Sequence, residues 1–244
     1  PEAALEKIHS LPPRFRDDGT VTAPTSSAIV DGAAAVMLMT AEKAEELGLE
    51  PLARIVSTAV AGSEPLIMLL GPVPAMRKAL DRAGITMDDV GVFEPNEAFV
   101  SPVLAFCIEF GLEFDDPRIN PTGGACAIGH PIGCTGVLYF TEMVHHMRRH
   151  NLRYGLQTLC GGGGVGIAAV AHQQPRQPPK RRVAQFAPVS DLLLVEAGEI
   201  GHPYPLPCCT RKSTCREDML HHENHYSRLR EGGLFHSRGS HAQG

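Results

Sequence analysis

The sequence predicts an α/β fold in which helices pack on a sheet, followed by a tail of different composition. Short β-branched or apolar runs alternate with helix-like segments up to about His172, and the runs contain few polar residues. Beyond that point the composition changes abruptly to QQPRQPPKRR, which suits neither a helix nor a central strand. We therefore expect a layered α-β-α domain with both sheet faces covered, and a largely disordered tail over residues 173–244.

The first half of the domain supplies two strands and two helices. Residues 29–39 are a continuous run of small and apolar residues, which predicts a buried strand. Thr40 is expected to cap a short helix that ends at Gly48. Residues 52–60 are rich in β-branched residues and predict a strand, and residues 74–83 predict a helix that ends at a glycine.

The second half of the domain continues the alternation. Residues 90–93 predict a short strand, and residues 97–110 a mostly apolar helix with its proline in the first turns. Apolar residues at helical spacing over 137–147 predict another helix. Two strands follow at 154–159 and 166–171, separated by CGGGGV.

Composition excludes several classes of protein. No apolar run approaches the roughly 20 residues of a membrane helix, and the charged N-terminal segment does not resemble a secretory signal. The seven cysteines are an odd number, which favours a reducing compartment, and we expect a cytoplasmic protein. The first 172 residues carry a net charge of −8, a poor surface for nucleic acid, whereas residues 173–244 carry +3. The chain begins with Pro1 rather than methionine, which fits a fragment or a processed product.

Three short motifs could carry chemistry. EPNEAF places Asn96 and Glu97 at a strand–helix junction, where functional side chains of α/β proteins concentrate, although by itself Asn96 is better explained as a helix cap. GHP fixes His130 on a rigid turn, from which it could activate a thiol or donate to an oxygen, and a satisfied loop histidine explains it equally well. In CGGGGVG, Cys160 ends a strand and the glycines expose N–H groups, although a free cysteine is usually buried and inert.

Three motifs in this order and spacing resemble the C-terminal part of the thiolases. They are NEAF, GGACAIGHPIGCTG and CGGGGVG. The likeness runs from about Leu5 to Ala171 and implies the second half of the thiolase fold. We expect residues 1–40 to be the end of the N-terminal thiolase domain with its linker, 41–172 the C-terminal domain, and 173–244 the tail. Each motif is weak alone, but three in order within a matching α/β pattern are specific.

The resemblance implies an acyltransferase that forms or cleaves 3-oxoacyl-CoA, as in fatty acid β-oxidation. Cys160 is similar to the family's acid/base cysteine, and His130 to the histidine that activates the nucleophile and holds the thioester oxygen. Asn96 corresponds to the residue that positions a water in the same oxyanion hole, and Gly162 to the glycine that lines a second one. Ser27 falls where the family has a serine that contacts the pantetheine arm of coenzyme A.

The resemblance also implies which substrates the protein uses and which groups its site lacks. The expected substrates are acyl-CoA, acetyl-CoA and coenzyme A, with no separate cofactor and no metal, and the complete fold implies a homo-oligomer. The family's nucleophilic cysteine lies upstream of every motif found here, so we expect this chain to lack it. An inactive remnant or acyl-CoA-binding module is therefore an alternative.

The tail raises one further alternative, which is metal binding. It contains a Cys/His-rich region, but the spacings match no standard zinc pattern, and Cys208 and Cys209 are adjacent rather than two to four residues apart. Such composition is more often incidental in a low-complexity segment, so we expect no metal.

Overall fold

The computed structural model describes residues 2–174 of the chain, which contain one four-stranded sheet and six α-helices. The strands are β1 (Ala53–Gly62), β2 (Val90–Pro95), β3 (Tyr154–Gly161) and β4 (Val165–Gln173). The helices are α1 (Glu2–His9), α2 (Ala41–Glu46), α3 (Pro72–Ala83), α4 (Val100–Phe110), α5 (Ala125–Ile128) and α6 (Thr135–His150). The predicted tail, apart from its first two residues, lies outside the described residues, as do the candidate metal ligands within it.

The sheet is mixed, with strand order β1-β4-β3-β2. β3 and β4 form an antiparallel hairpin, β4 also pairs antiparallel with β1, and β2 runs parallel to β3. The connection from β2 to β3 passes through α4, α5 and α6, which is the helical crossover that a parallel pair requires. Because β2 and β3 run in the same direction, both end at one edge of the sheet, where ligand sites of α/β proteins concentrate.

Helix α3 covers one face of the sheet. Its Met76 and Ala79 are fully buried in a cluster that includes Phe93 of β2. Burying a side chain of the size of Met76 stabilises the fold by about 1.5–3 kcal/mol. The start of α3 meets β4 backbone to backbone, since a Cβ at Gly166 would overlap the Gly71 carbonyl group.

Helix α6 covers the other face over β2 and β3. Its Met143 and Met147 are fully buried against Val92 of β2, as the helical spacing of its apolar residues predicts. The helix lies so close to β3 that a Cβ at Gly155 would come within 2.6 Å of the Met147 sulfur. Helices on both faces of a sheet confirm the predicted α/β class.

Most of the predicted elements are present with shifted ends. The Thr40 hydroxyl caps α2 by accepting a hydrogen bond from the Lys43 N–H at 3.2 Å. Gly84 ends α3 in the left-handed conformation (φ 66°), as a terminal glycine predicts. The two strands around the glycine run are β3 and β4: β3 ends two residues later than predicted, and β4 begins one residue earlier and ends two residues later.

The predicted strand over residues 29–39 is wrong. The segment has no regular secondary structure apart from an isolated bridge between Ile29 and His130, and the Ile29 side chain is 82% exposed. A strand needs a neighbour to accept its backbone hydrogen bonds, and the described strands pair only with one another. A small apolar run indicates that a segment suits burial, but it carries no information about its partner.

The predicted helix over residues 97–110 begins later, at Val100, and its cap is Phe99, which makes no side-chain capping bond. The explanation of Asn96 as a helix cap is therefore wrong. The preceding backbone is extended because Phe99 bridges Ser26 and the Ala98 carbonyl accepts the N–H of a neighbouring serine. The proline of α4 falls in the first turn, where its missing N–H costs nothing.

The expectation that both sheet faces are covered holds for β2, β3 and the last residues of β4, where Ala171 is buried under α6, but not where β1 and β4 pair further along. On the α6 side, β1 and β4 present apolar side chains to solvent in the described structure: Val60 is 60% exposed and Ile167 is 43% exposed. The alternate residues of these strands, such as Ala59 and Ala168, are buried under α3. The scarcity of polar residues in β1 and β4 therefore did not show that a helix covers both of their faces.

Candidate active site

The ends of the parallel strands place two of the three motifs together. Pro95, the last residue of β2, pairs with Thr158 of β3, and the Asn96 N–H donates to the Thr158 carbonyl at 2.9 Å. Cys160 lies two residues further along β3. Asn96 and Cys160 therefore lie at the same edge of the sheet, as the strand–helix junction rule predicts.

The segment from Thr25 to Ala28 ties the third motif to this edge. It pairs first with the loop after Asn96, through a bond of 2.9 Å from the Val100 N–H to the Thr25 carbonyl. The Ala28 carbonyl then accepts the His130 N–H at 2.7 Å. A single extended stretch thus bonds to both the Asn96 loop and the His130 loop, and it fixes their backbones relative to each other.

The glycines around His130 allow close packing of that loop. Gly129 has a φ of 99°, and a Cβ there would come within 2.6 Å of the Val30 side chain. Its carbonyl accepts the Tyr139 hydroxyl at 2.5 Å, which anchors the loop on α6. The His130 ring is half-buried, with Nδ1 2.8 Å from the Thr135 hydroxyl, and burial lowers the pKa of the imidazole.

The Glu97 carboxylate links the Asn96 loop to the segment that precedes His130. One oxygen accepts from the Asn120 amide at 2.7 Å and the other accepts from the Cys126 N–H at 2.9 Å. Gly124 is required here, because a Cβ would lie 2.5 Å from the carboxylate. Burial raises the pKa of Glu97, while the two hydrogen bonds oppose that effect. The sequence identified Glu97 only as a neighbour of Asn96 and did not predict this role.

Cys160 lies half-buried at the end of β3. Burial raises the pKa of its thiol, opposed only by a backbone hydrogen bond, so the thiol is protonated at neutral pH in this structure. To act as a base, Cys160 must lose its proton, and a nearby cation would favour the thiolate. Within residues 2–174 no cation contributes to the pKa of Cys160, and only the backbone hydrogen bond opposes burial.

The four glycines after Cys160 are not all required for the same structural reason. Gly163 and Gly164 have φ values of 77° and 85° in the β3–β4 turn, and a Cβ at Gly164 would lie 2.5 Å from the Ser63 carbonyl. A Cβ at Gly162 would meet nothing within 4 Å, and its φ is not in the left-handed region. Neither conformation nor packing within residues 2–174 therefore requires glycine at position 162.

Ser27 is half-buried next to the Asn96 loop. Both its N–H and its hydroxyl donate to the Ala98 carbonyl, each at 3.2 Å. The hydroxyl oxygen can still accept a hydrogen bond from a ligand. Contact between Ser27 and coenzyme A stays a prediction.

Several polar atoms of the site have no partner among the described residues. The Asn96 Oδ1 is buried and unpaired, and so is the Oε1 of Glu94, whose side chain is only 3% exposed. Burial and the nearby carboxylates of Glu142 and Glu97 raise the pKa of Glu94 to about 9. An unpaired buried acceptor is costly, so the Asn96 oxygen is suited to bind a water or a ligand donor.

The other described cysteines lie elsewhere in the fold. Cys107 is fully buried on α4, and burial raises the pKa of its thiol to about 12. The Cys126 thiol donates to the Glu97 carbonyl at 3.6 Å, and Cys134 precedes α6. Within residues 2–174, no group of His, Cys, Asp and Glu side chains is arranged to hold a metal ion. None of the helices described there has the length and apolarity needed to cross a bilayer.

Comparison with known families identifies the fold that carries this site. Residues 49–173 match the model of the thiolase C-terminal domain, and residues 1–42 match that of the thiolase N-terminal domain. The chain belongs to the thiolase family. The domain boundaries predicted at residues 40 and 172, and the roles predicted for the site residues, stay predictions.

Curated thiolases provide similar relatives. The chain is 51% identical over 172 residues to a 3-ketoacyl-CoA thiolase of Pseudoalteromonas translucida, which covers 70% of this chain and 44% of the relative. It is 47% identical over 170 residues to a 3-ketoacyl-CoA thiolase of Bacillus subtilis, covering 70% and 43%. The chain thus spans less than half the length of the curated thiolases it matches.

Solved thiolase structures have the same fold. The crystal structure of the Bacillus anthracis acetyl-CoA acetyltransferase matches with a TM-score of 0.65 and 42% identity, covering 69% of this chain and 42% of that one. Human mitochondrial 3-ketoacyl-CoA thiolase in complex with CoA matches with a TM-score of 0.64 and 38% identity, covering 70% and 43%. The α/β sheet with its flanking helices is therefore a thiolase fold.

Proposed function

We propose that this chain contributes the enolate-forming half of a thiolase active site, acting on acyl-CoA and acetyl-CoA. Its relatives named 3-ketoacyl-CoA thiolase support a reaction that forms or cleaves 3-oxoacyl-CoA. The observation that carries the proposal is the set of backbone bonds that holds the Asn96 and His130 loops together at the edge where β3 ends in Cys160.

In this proposal Cys160 is the acid and base. In the cleavage direction its thiol donates a proton to the α-carbon of the departing acetyl-CoA enolate and becomes a thiolate. In the condensation direction the thiolate removes that proton. The raised pKa of the Cys160 thiol favours the protonated form, which is the form that cleavage requires first.

The other site residues act on oxygen in the proposal. His130, as the imidazolium formed once Nε2 has taken a thiol proton, and a water held by Asn96 stabilise the enolate oxygen, and the unpaired buried Asn96 Oδ1 supports a role in binding that water. The Gly162 N–H lines a second oxyanion hole. The open space at Gly162, in a position that does not itself need glycine, supports close approach of a ligand to its backbone.

We place the nucleophile outside the described residues. Cys107 is fully buried, and the Cys126 thiol already donates to a carbonyl. The whole protein is proposed to be a homo-oligomer without a separate cofactor, in which a second domain brings the nucleophilic cysteine to His130.

Thiolysis of a 3-oxoacyl-CoA by the purified chain tests this division of roles. We expect no turnover with the chain alone, and coenzyme A–dependent turnover when the first half of the Bacillus subtilis relative is joined to it. Turnover by the chain alone that an alkylating agent abolishes would place the nucleophile within it. Calorimetric titration with coenzyme A separates the alternative: binding without turnover in the joined protein would indicate an acyl-CoA-binding module.

A further inference from the structure

We infer that Thr135 is a positioning residue that determines which ring nitrogen of His130 carries hydrogen. In this arrangement His130 Nδ1–H donates to the Thr135 hydroxyl oxygen, and Nε2 keeps a free lone pair. The hydrogen assignment follows from geometry, whereas its catalytic consequence rests on the proposed function.

Two short contacts of the Thr135 hydroxyl fix the hydrogen positions. Its oxygen lies 2.8 Å from His130 Nδ1 and 2.8 Å from the Pro131 carbonyl oxygen. Each contact is of hydrogen-bond length and needs one hydrogen between its atoms. The carbonyl has none and the hydroxyl has one, which must point to the carbonyl because two bare oxygens at this distance repel. The imidazole therefore supplies the other hydrogen, from Nδ1.

The usual role of a threonine at a helix start does not explain Thr135. It is the first residue of α6, after Cys134, and the helix start has no side-chain capping bond. The Thr135 side chain is fully buried, and its hydroxyl turns back to the carbonyl four residues earlier. A buried hydroxyl placed between a carbonyl and a ring nitrogen acts as an orienting group.

The backbone around His130 keeps the ring in this position. The His130 N–H donates to the Ala28 carbonyl at 2.7 Å, and the preceding Gly129 carbonyl is held by Tyr139. Because both sides of the backbone are bound, the ring meets Thr135 from a fixed direction. The partner of one ring nitrogen determines the state of the other, so Nε2 is left as the basic nitrogen.

The consequence for the proposed reaction is a defined proton transfer. Nε2 of the neutral ring takes the proton of a thiol, which leaves a thiolate on sulfur and an imidazolium that carries hydrogen on both nitrogens. Nδ1–H stays on the Thr135 oxygen throughout, so the ring need not turn or exchange its hydrogen during the step. With the other tautomer, Nε2 would have no lone pair and could not accept the proton.

Long-range proton–nitrogen NMR of the ¹⁵N-labelled full chain tests the inference. Burial lowers the pKa of His130, so at pH 8 the ring is neutral. A His130→Gln variant identifies the His130 signals among those of the chain's 12 histidines. We expect a protonated Nδ1 and an unprotonated Nε2 in the wild-type chain and in Thr135→Ser, and loss of that state in Thr135→Val, which keeps the shape but has no hydroxyl.

The outcomes separate the two proposals. A wild-type spectrum with hydrogen on Nε2 overturns the inference, whether or not the Thr135 variants fold. An unchanged tautomer in Thr135→Val also overturns it, because another group would then determine the hydrogen position. If the tautomer is as inferred but the joined protein has no thiolysis activity, the proposed function fails and the assignment of Thr135 stands.

Discussion

Replacing Glu94 with glutamine is expected to stabilise the protein above pH 5. The carboxyl group is 3% exposed with an unpaired Oε1, and its pKa is about 9 in the folded chain against an ordinary value of 4.5. Glu142 and Glu97 face it and add to the effect of burial. Glutamine has the same shape as the protonated acid and never loses a proton, so it removes the cost of keeping Glu94 neutral.

The sign and size follow from proton linkage. The folded state holds a proton that the unfolded state releases above pH 4.5, so Glu94 is not penalised below that pH and costs increasing stability up to the folded pKa of about 9. Each pH unit within this window is worth about 1.4 kcal/mol. Glu94→Gln should therefore gain roughly 3 kcal/mol over the wild type between pH 4.5 and pH 7.

Urea unfolding followed by circular dichroism at pH 5, 7 and 8 measures the difference. Glu113 provides a matched control, because its side chain lies on the exposed surface after α4 and Glu113→Gln removes one carboxylate without touching the site. A difference between wild type and Glu94→Gln that is constant with pH, or that falls as pH rises, would refute the reasoning. So would an equal gain in Glu113→Gln.

Three other changes are expected to have defined effects. Gly166→Ala should lower the free energy of unfolding by about 3 kcal/mol or more, because the new Cβ overlaps the backbone before α3, whereas Gly162→Ala should change it by less than about 0.5 kcal/mol in thermal unfolding. Glu97→Ala removes the acceptor of two buried donors and should cost about 2–4 kcal/mol in urea. Iodoacetamide should modify Cys160 increasingly as pH rises towards 10 and leave the buried Cys107 unmodified until the chain unfolds, as peptide mass spectrometry will report.

Each of these has an outcome that counts against it. Equal melting temperatures for the two glycine variants would mean that the close approach of α3 to β4 is not rigid. A loss below about 0.5 kcal/mol for Glu97→Ala would mean that water replaces the carboxylate at both donors. Modification of Cys107 before Cys160 in the native chain would contradict the burial of α4.

Local sequence patterns predicted the helices and strands well. The spacing of apolar residues in α6 and the terminal glycine of α3 are properties of a few neighbouring residues, and both elements are present. The strand predicted at residues 29–39 failed because pairing depends on a partner that no local pattern specifies. The exposed face of β1 and β4 was not predicted for the same reason, because the sequence of a strand does not specify which element covers it.

The candidate site divides in the same way. Asn96, His130 and Cys160 could be proposed because each stands in a short motif and each motif follows a recognisable element. The roles of Glu97 and Thr135 could not be predicted, because their contacts are properties of the fold. The Glu97 carboxylate accepts hydrogen bonds from residues 23 and 29 positions away, and only the folded chain reveals that it links the Asn96 loop to the segment before His130.

Exchange of the methyl hydrogens of acetyl-CoA for deuterium tests the central claim most directly, because it needs the enolate-forming residues and not the nucleophile. The full chain is incubated with acetyl-CoA in deuterium oxide, and mass spectrometry follows label in the acetyl group. We predict exchange above the protein-free rate, a loss of about 10²-fold in Cys160→Ala, and no loss in Cys134→Ala. Absence of exchange in the wild-type chain, or exchange that survives Cys160→Ala, would contradict the account.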